Sequence, residues 1–118
     1  MAKNPGTKFE EWVLQELQRF YPDAKRRKAS GAVHGQGDVV AGPFEVECKD
    51  NPDQKSISIT EKDWKHTEKA ADKEGRMPLF FNKNKHGVFV TLKFNSFDTL
   101  LRDAIQAHIF LEGEPDAF

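Results

Sequence analysis

The sequence lacks the features that mark several common protein classes. Its one cysteine, Cys48, excludes an internal disulfide, and no Cys/His set could form a structural zinc site. No apolar run approaches the roughly 18 residues of a membrane-spanning helix, and the N-terminus has no apolar signal core. There is no Gly-rich phosphate loop of the Walker type and no defensible Ser/His/Asp arrangement. We therefore expect an intracellular, cytoplasmic protein without membrane contact.

Neither sign of charge is in clear excess. The chain has 18 Lys and Arg residues against 19 Asp and Glu residues, which gives a net charge of −1. That balance is not typical of a nonspecific nucleic-acid binder. Any DNA-binding surface must therefore arise from local segregation of charge.

The length of 118 residues allows one domain, residues 1–118, with a single core. Patterning predicts the order α-β-β-β-α-β-β-α, an α/β fold with a mixed sheet flanked by helices. The predicted elements are a helix from Thr7 to Phe20, an extended segment 24–29, strands 38–41 and 44–49, a helix 61–74 capped by Thr60 and closed by Gly75, strands 77–81 and 87–92, and a helix 96–109.

The first helix carries an ambiguous carboxylate. We expect residues 1–6 to form a loose leader with Pro5-Gly6 as a breaker, and Thr7 to cap the helix. Glu10, three residues after Thr7, is either the capping-box partner of Thr7 or a carboxylate offered to a metal site on the sheet. The expected buried stripe of this helix is Phe9, Trp12, Val13, Leu14, Leu17 and Phe20.

A short hairpin brings two carboxylates together. If the chain turns at Gly42-Pro43, Asp38 lies directly opposite Glu47, with Cβ atoms about 4.5–5.5 Å apart. Two carboxylates about 4 Å apart repel by roughly 4 kcal/mol at an effective dielectric near 20. A bridging cation would remove that penalty, so the pair predicts a metal site.

Strand alternation adds a cation to the same sheet face, because Lys49 lies two residues beyond Glu47. Glu45 shares this face and is the alternative ligand. The Glu47-x-Lys49 spacing favours Glu47, and we expect Glu45 at the rim or surface. Cys48 alternates away and should be a small buried residue. The competing interpretation of the three site residues is a solvent-facing charged ladder with ordinary ion pairs.

A basic run, Lys25-Arg26-Arg27-Lys28, precedes a loop with three glycines in residues 30–37. Its position before the predicted metal site favours phosphate contacts, although a solvated strand is the alternative. Ser30 and His34 in the loop, and Lys65 on the second helix, are further candidates for contact with DNA. Surface positions without ligand contact are the alternative for His34 and Lys65. Trp64 is expected in the core.

Taken in order, these motifs resemble the PD-(D/E)xK nuclease superfamily, and most closely the archaeal-type Holliday junction resolvases, including those of phages. The segment Gly6-Thr7-Lys8-Phe9-Glu10 is similar to the family's opening, and Ala29-Ser30-Gly31 to its short loop motif. Asp38 and Glu47-Cys48-Lys49 fall on its metal-binding and catalytic positions. Gly37 departs from the proline of the superfamily name. The resemblance implies a restriction-endonuclease-like fold.

The resemblance also implies roles for individual residues. The catalytic set would be Glu10, Ser30, Asp38, Glu47 and Lys49. Mg²⁺, for which Mn²⁺ could substitute, would be held by Asp38, Glu47, the backbone carbonyl of Cys48 and, through water, Glu10. DNA contacts would come from Lys25, Arg26, Arg27, Lys28, Ser30, His34 and Lys65. The expected activity is paired cleavage of four-way DNA junctions.

Two other functions remain open: another nuclease activity of the superfamily (restriction-like, nicking or repair), and a catalytically silent DNA-binding module. Paired cleavage would require a homodimer, and the C-terminal half has more apolar residues than one small sheet needs. We expect Phe80 and Phe89 in the core. Phe94, Phe97 and the distal face of the last helix are the candidates for a two-fold interface.

Overall fold

In the part of the chain that the structure describes, five strands form one mixed sheet, which three helices flank. The computed structural model describes residues 5–27 and 39–112, with side chains for 8–27 and 39–108. The elements are α1 (Pro5–Gln18), β1 (Lys25–Arg26), β2 (Val39–Ala41), β3 (Phe44–Asp50), α2 (Glu61–Glu74), β4 (Met77–Asn84), β5 (Gly87–Thr91) and α3 (Phe94–Glu112). The strands lie in the order β1-β2-β3-β4-β5, and only β3 and β4 run parallel. The predicted α/β class and element order are confirmed.

The β2–β3 hairpin has the predicted register. Val39 pairs with Val46, and Ala41 pairs with Phe44 across the turn. Gly42 adopts a φ of 52°, and a Cβ there would lie 2.3 Å from the Tyr21 ring, so the turn requires glycine. The predicted pair of Asp38 with Glu47 lies outside the described residues, because β2 is described from Val39 onward.

The two faces of the sheet are covered by different helices. α1 packs on one face and forms the main core, whose buried members are Phe9, Val13, Leu17, Ala24, Val39, Ala41, Phe44, Val46 and Leu79. α2 covers the other face, where the Trp64 and Phe80 ring centroids lie 4.5 Å apart and Phe80 is fully buried. Cys48 packs against the α1 core, in the predicted direction. By alternation, Glu47 and Lys49 belong to the α2 face.

The start of α1 differs from the prediction. The helix begins at Pro5, so Thr7 lies inside it and the Thr7–Glu10 capping box predicted here is wrong. Proline suits the first helical position, because its missing N–H would have no helical acceptor and its φ is already helical. The predicted burial of Trp12 and Phe20 is also wrong, since they are 44% and 69% exposed.

α2 has both predicted ends. The Thr60 hydroxyl accepts a hydrogen bond from the Asp63 backbone N–H (3.1 Å), and the Asp63 carboxylate accepts one from the Thr60 backbone N–H (3.4 Å). Gly75 ends the helix with a φ of 68°. This capping box holds Asp63 at the N-terminus of α2, beside the C-terminal part of β3.

Two elements in the C-terminal half extend beyond their predicted bounds, and one aromatic side chain there is more exposed than predicted. β4 continues to Asn84, and α3 begins at Phe94. Phe89 is 37% exposed, so its predicted core position is wrong, whereas Phe80 is buried as expected. The described part of the chain measures 54 × 32 × 29 Å. Within it, no helix is long and apolar enough to cross a membrane.

Candidate active site

Three charged side chains meet between β3 and the N-terminus of α2. The Lys49 ammonium donates a hydrogen bond to Asp63 Oδ1 at 2.9 Å and lies 3.7 Å from Glu47 Oε1. The three side chains are between 18% and 26% exposed, so the cluster is largely sheltered but still reachable from solvent. The predicted proximity of Glu47 and Lys49 on one face is confirmed, and two carboxylates share one ammonium group.

Asp63 was missed by the sequence analysis. Partial burial would raise the pKa of its carboxyl group, but hydrogen bonds from Lys49 and Thr60, together with the Lys49 charge, hold that pKa below its ordinary value. The interaction therefore stabilises the fold above the ordinary pKa of aspartate, and this contribution is lost as the pH falls through the lowered value. The spacing Thr60-x-x-Asp63 was the available signal, since a capping box fixes the orientation of its carboxylate.

Glu45 is fully buried, so its predicted position at the rim or surface is wrong. Arg27 donates two hydrogen bonds to it, from Nε to Oε2 at 2.8 Å and from Nη2 to Oε1 at 2.5 Å. Arg76 Nη1 lies 3.8 Å from the same carboxylate. The hydrogen bonds with Glu45 raise the pKa of Arg27 above its ordinary value, although burial acts in the opposite direction. A paired guanidinium is the condition for burying a carboxylate in this way.

Glu10 on α1 forms an ion pair with Arg26 on β1. Arg26 Nη2 donates a hydrogen bond to Glu10 Oε2 at 2.7 Å, and Arg26 Nη1 lies 3.8 Å from Glu11 Oε1. Arg26 pairs with Val39, so it lies on the α1 face, whereas Glu47 lies on the α2 face. The structure thus brings Glu10 to Arg26, and its role at a metal stays a prediction.

The remaining predicted site residues are scattered. Lys28, Ser30, His34 and Asp38 lie outside the described residues. Lys25 is exposed on β1, and Lys65 forms an exposed ion pair with Glu61 at 2.9 Å. Arg26 and Arg27 each hold a carboxylate of the fold, so the basic run is not a simple row of solvated cations.

Asn82 is a second residue that the sequence analysis missed. It lies beside Lys49 in the parallel β3–β4 register, on the α2 face, and is 3% exposed. Its Nδ2 atom is buried and has no hydrogen-bond partner among the described residues. Residues 82–86 lie between the predicted strands 77–81 and 87–92, because two asparagines and two lysines there conceal the strand pattern.

Mg²⁺ is the metal that the sequence predicts here, and carboxylate oxygens are ligands that it prefers. Within the described residues there is no group of three or more His, Cys, Asp and Glu side chains that could hold an ion. Mg²⁺ is usually bound by one or two carboxylates and keeps several waters. Glu47 supplies one carboxylate, and the predicted ligand Asp38 lies outside the described residues, so a Mg²⁺ site that also uses the Cys48 carbonyl stays a prediction.

In comparisons with known proteins, no family model, no curated protein and no solved structure matches this chain.

Proposed function

We propose that this protein is a metal-dependent DNA endonuclease that acts on four-way junctions. The observation that carries the proposal is the position of Glu47 and Lys49 side by side at the C-terminal end of β3, in a sheltered cluster with Asp63. An oxygen ligand for a hard cation next to an oriented ammonium group is suited to hydrolysis of a phosphodiester. The resemblance to junction resolvases supplies the substrate class.

The residues would divide the chemistry between them. A bound Mg²⁺ would supply Lewis-acid activation of the scissile phosphate and of water. Glu47 and the Cys48 carbonyl would hold that ion, together with Asp38. Lys49, oriented by Asp63, would position the attacking water and offset the charge of the phosphate.

A cleavage assay tests the proposal directly. A labelled synthetic four-way junction and a linear duplex of matched sequence are each incubated with the protein, with Mg²⁺ and with chelator. We expect paired incisions in the junction with Mg²⁺, little cleavage of the duplex, and no cleavage with chelator. Equal cleavage of both substrates would instead indicate a restriction-like or nicking nuclease. Binding without cleavage under every metal condition would indicate the catalytically silent module.

Lys25 is the best-placed cation for a test of phosphate contact. It is exposed on the edge strand β1, whereas Arg26 and Arg27 hold carboxylates. Lys25→Ala should flatten the slope of log affinity against log salt by about one unit if this lysine meets one phosphate. Lys85→Ala, in the turn between β4 and β5 at the opposite edge of the sheet, is the matched control and should leave the slope unchanged. Equal slopes for Lys25→Ala and the parent would remove Lys25 from the DNA surface.

Paired incision requires two copies of the site, and α3 offers a surface for a second copy of this chain. Phe94, Phe97 and Leu101 are 77%, 48% and 47% exposed on that helix. Large apolar side chains exposed together favour association. We expect a dimer of about 27 kDa, twice the 13.5 kDa chain mass, by light scattering. Phe97→Ser should shift it to the monomer, whereas Arg102→Ser on the same helix should not. A monomeric parent that still cuts both strands in one encounter would contradict the two-fold arrangement.

A further inference from the structure

A pocket lies on the sheet face opposite the Glu47–Lys49–Asp63 cluster, between α1 and the ends of β3, β4 and β5. Its volume is about 520 Å³, and it is lined by Lys8, Phe9, Trp12, Asp50, Lys83 and Val88. Sites for small ligands usually measure about 300–1,000 Å³. The pocket can therefore accept a molecule the size of one nucleotide but not a double helix.

The strand register explains why these groups converge. Asp50 pairs with Lys83, and Lys83 pairs with Val88, so the three side chains form a row across three strands on one face. Lys49 precedes Asp50 and points to the other face. The pocket is thus separated by the sheet from the Glu47–Lys49–Asp63 cluster.

Asp50 is the first residue whose surroundings indicate a ligand. Its Oδ1 atom is buried, and it has no hydrogen-bond partner among the residues the structure describes. A buried carboxylate oxygen without a donor is unfavourable, because it has lost water without gaining a replacement. A ligand that presents N–H groups at this point would supply the missing donor.

Trp12 is the second such group. Its ring stacks on Phe9 with centroids 6.0 Å apart and an interplanar angle of 14°. The indole is nevertheless 44% exposed, which is unusual for a large aromatic side chain next to the core. An indole held flat by a second ring is a suitable platform for a planar heterocycle, which every nucleobase provides.

The two lysines supply the charge for an anionic group. Lys8 and Lys83 are both exposed at the pocket and form no ion pair with a described residue. With Asp50 they give the lining a net charge of +1. An anion such as phosphate is accommodated by the ammonium groups, while the carboxylate takes a neutral donor.

We propose that this pocket binds one nucleotide through its unpaired base and its phosphate. The base stacks on Trp12 and donates N–H groups to Asp50, and the phosphate contacts Lys8 and Lys83. Guanine fits the carboxylate best among the four bases, because its Watson–Crick edge has two adjacent N–H donors. The nucleotide is either a free mononucleotide or an unpaired residue of a DNA strand. The proposal does not depend on the nuclease assignment.

Tryptophan fluorescence provides the readout. In a Trp64→Phe background, Trp12 is the only tryptophan, since the chain has two. We expect saturable quenching by dGMP, with weaker binding of the other three deoxynucleotides and of inorganic phosphate alone. Deoxyguanosine should bind at least tenfold more weakly than dGMP. Calorimetric titration of the parent chain with dGMP checks that Trp64→Phe does not alter the pocket.

Single substitutions separate the contribution of the base from that of the phosphate to binding. Asp50→Asn should weaken dGMP binding at least tenfold and reduce the preference for guanine, because the amide offers only one acceptor oxygen. Lys83→Ala should lower the affinity for dGMP but not for deoxyguanosine. Lys85→Ala, two residues further along the chain and outside the pocket lining, is the matched control and should bind as the parent does. Glu47→Gln should also retain binding, which keeps the pocket distinct from the cleavage site.

Two results would overturn the proposal. The first is the absence of saturable quenching both by millimolar dGMP and by a short single-stranded oligonucleotide. The second is equal affinity for dGMP and inorganic phosphate, which would show that the base is not bound. Quenching by the oligonucleotide but not by dGMP would support the pocket and assign the nucleotide to a DNA strand.

Discussion

Arg27→Ala is expected to lower the free energy of unfolding by roughly 3–5 kcal/mol, because it leaves a buried carboxylate without its main partner. Glu45 is 0% exposed, and both of its oxygens accept hydrogen bonds from Arg27. Arg76, at 3.8 Å, is too far away to replace two direct hydrogen bonds. Urea denaturation followed by circular dichroism measures the change.

Arg26→Ala is the matched control for this measurement. Arg26 is the preceding residue of the basic run, but its partner Glu10 is 24% exposed rather than fully buried. Removal of an accessible ion pair of this kind costs about 0–1 kcal/mol. Combining Arg27→Met with Glu45→Leu should recover most of the stability, since apolar replacement of a buried ion pair is often neutral. Equal losses for Arg27→Ala and Arg26→Ala would show that Glu45 is not effectively buried.

The parts of the fold that the sequence predicts well are those set by local interactions. The β2–β3 register follows from the turn at Gly42 and from strict alternation along β3. The bounds of α2 follow from the Thr60 cap and from Gly75, each of which needs only its own neighbours. The same locality explains why Glu47 and Lys49 could be assigned to one face.

The error at Glu45 concerns an interaction between distant parts of the chain. Strand alternation predicts that Glu45 and Glu47 share a face. It does not predict which residues of that face are buried. The burial of Glu45 depends on Arg27, which is 18 residues away, and on Arg76 beyond α2. A basic run and a lone glutamate do not reveal such a pair in the sequence.

The burial predictions for Trp12 and Phe20 were wrong for a related reason. A helical stripe predicts which residues share a face, and Phe9, Val13 and Leu17 on that stripe are buried as expected. Phe20 lies beyond the end of α1 at Gln18, and Trp12 lies at the edge of the stripe, in the pocket beside Asp50. The incorrect burial prediction for Trp12 thus coincides with the proposed nucleotide site.

The buried Glu45–Arg27 pair lies on the same strand face as the Glu47–Lys49–Asp63 cluster. Glu45, Glu47 and Lys49 alternate along one strand, and the first of them is fixed by Arg27 beneath the α2 side of the sheet. The capping box of α2 then brings Asp63 to Lys49. Strand β3 and the capped end of α2 therefore hold the Glu47 carboxylate and the Lys49 ammonium group in place, as the proposed hydrolysis would require.

Glu47→Gln is expected to lower the rate of junction cleavage by at least about 100-fold, because loss of a partner beyond the direct ligands already costs roughly 10–100-fold at metal sites. Glutamine keeps the shape of the side chain but removes the charge that a hard cation requires. Single-turnover cleavage of a labelled junction in Mg²⁺ measures the rate, and junction affinity should change little. Glu61→Gln, 81% exposed on α2, is the matched control and should cleave as the parent does. Cleavage by Glu47→Gln within threefold of the parent would exclude Glu47 from the metal site.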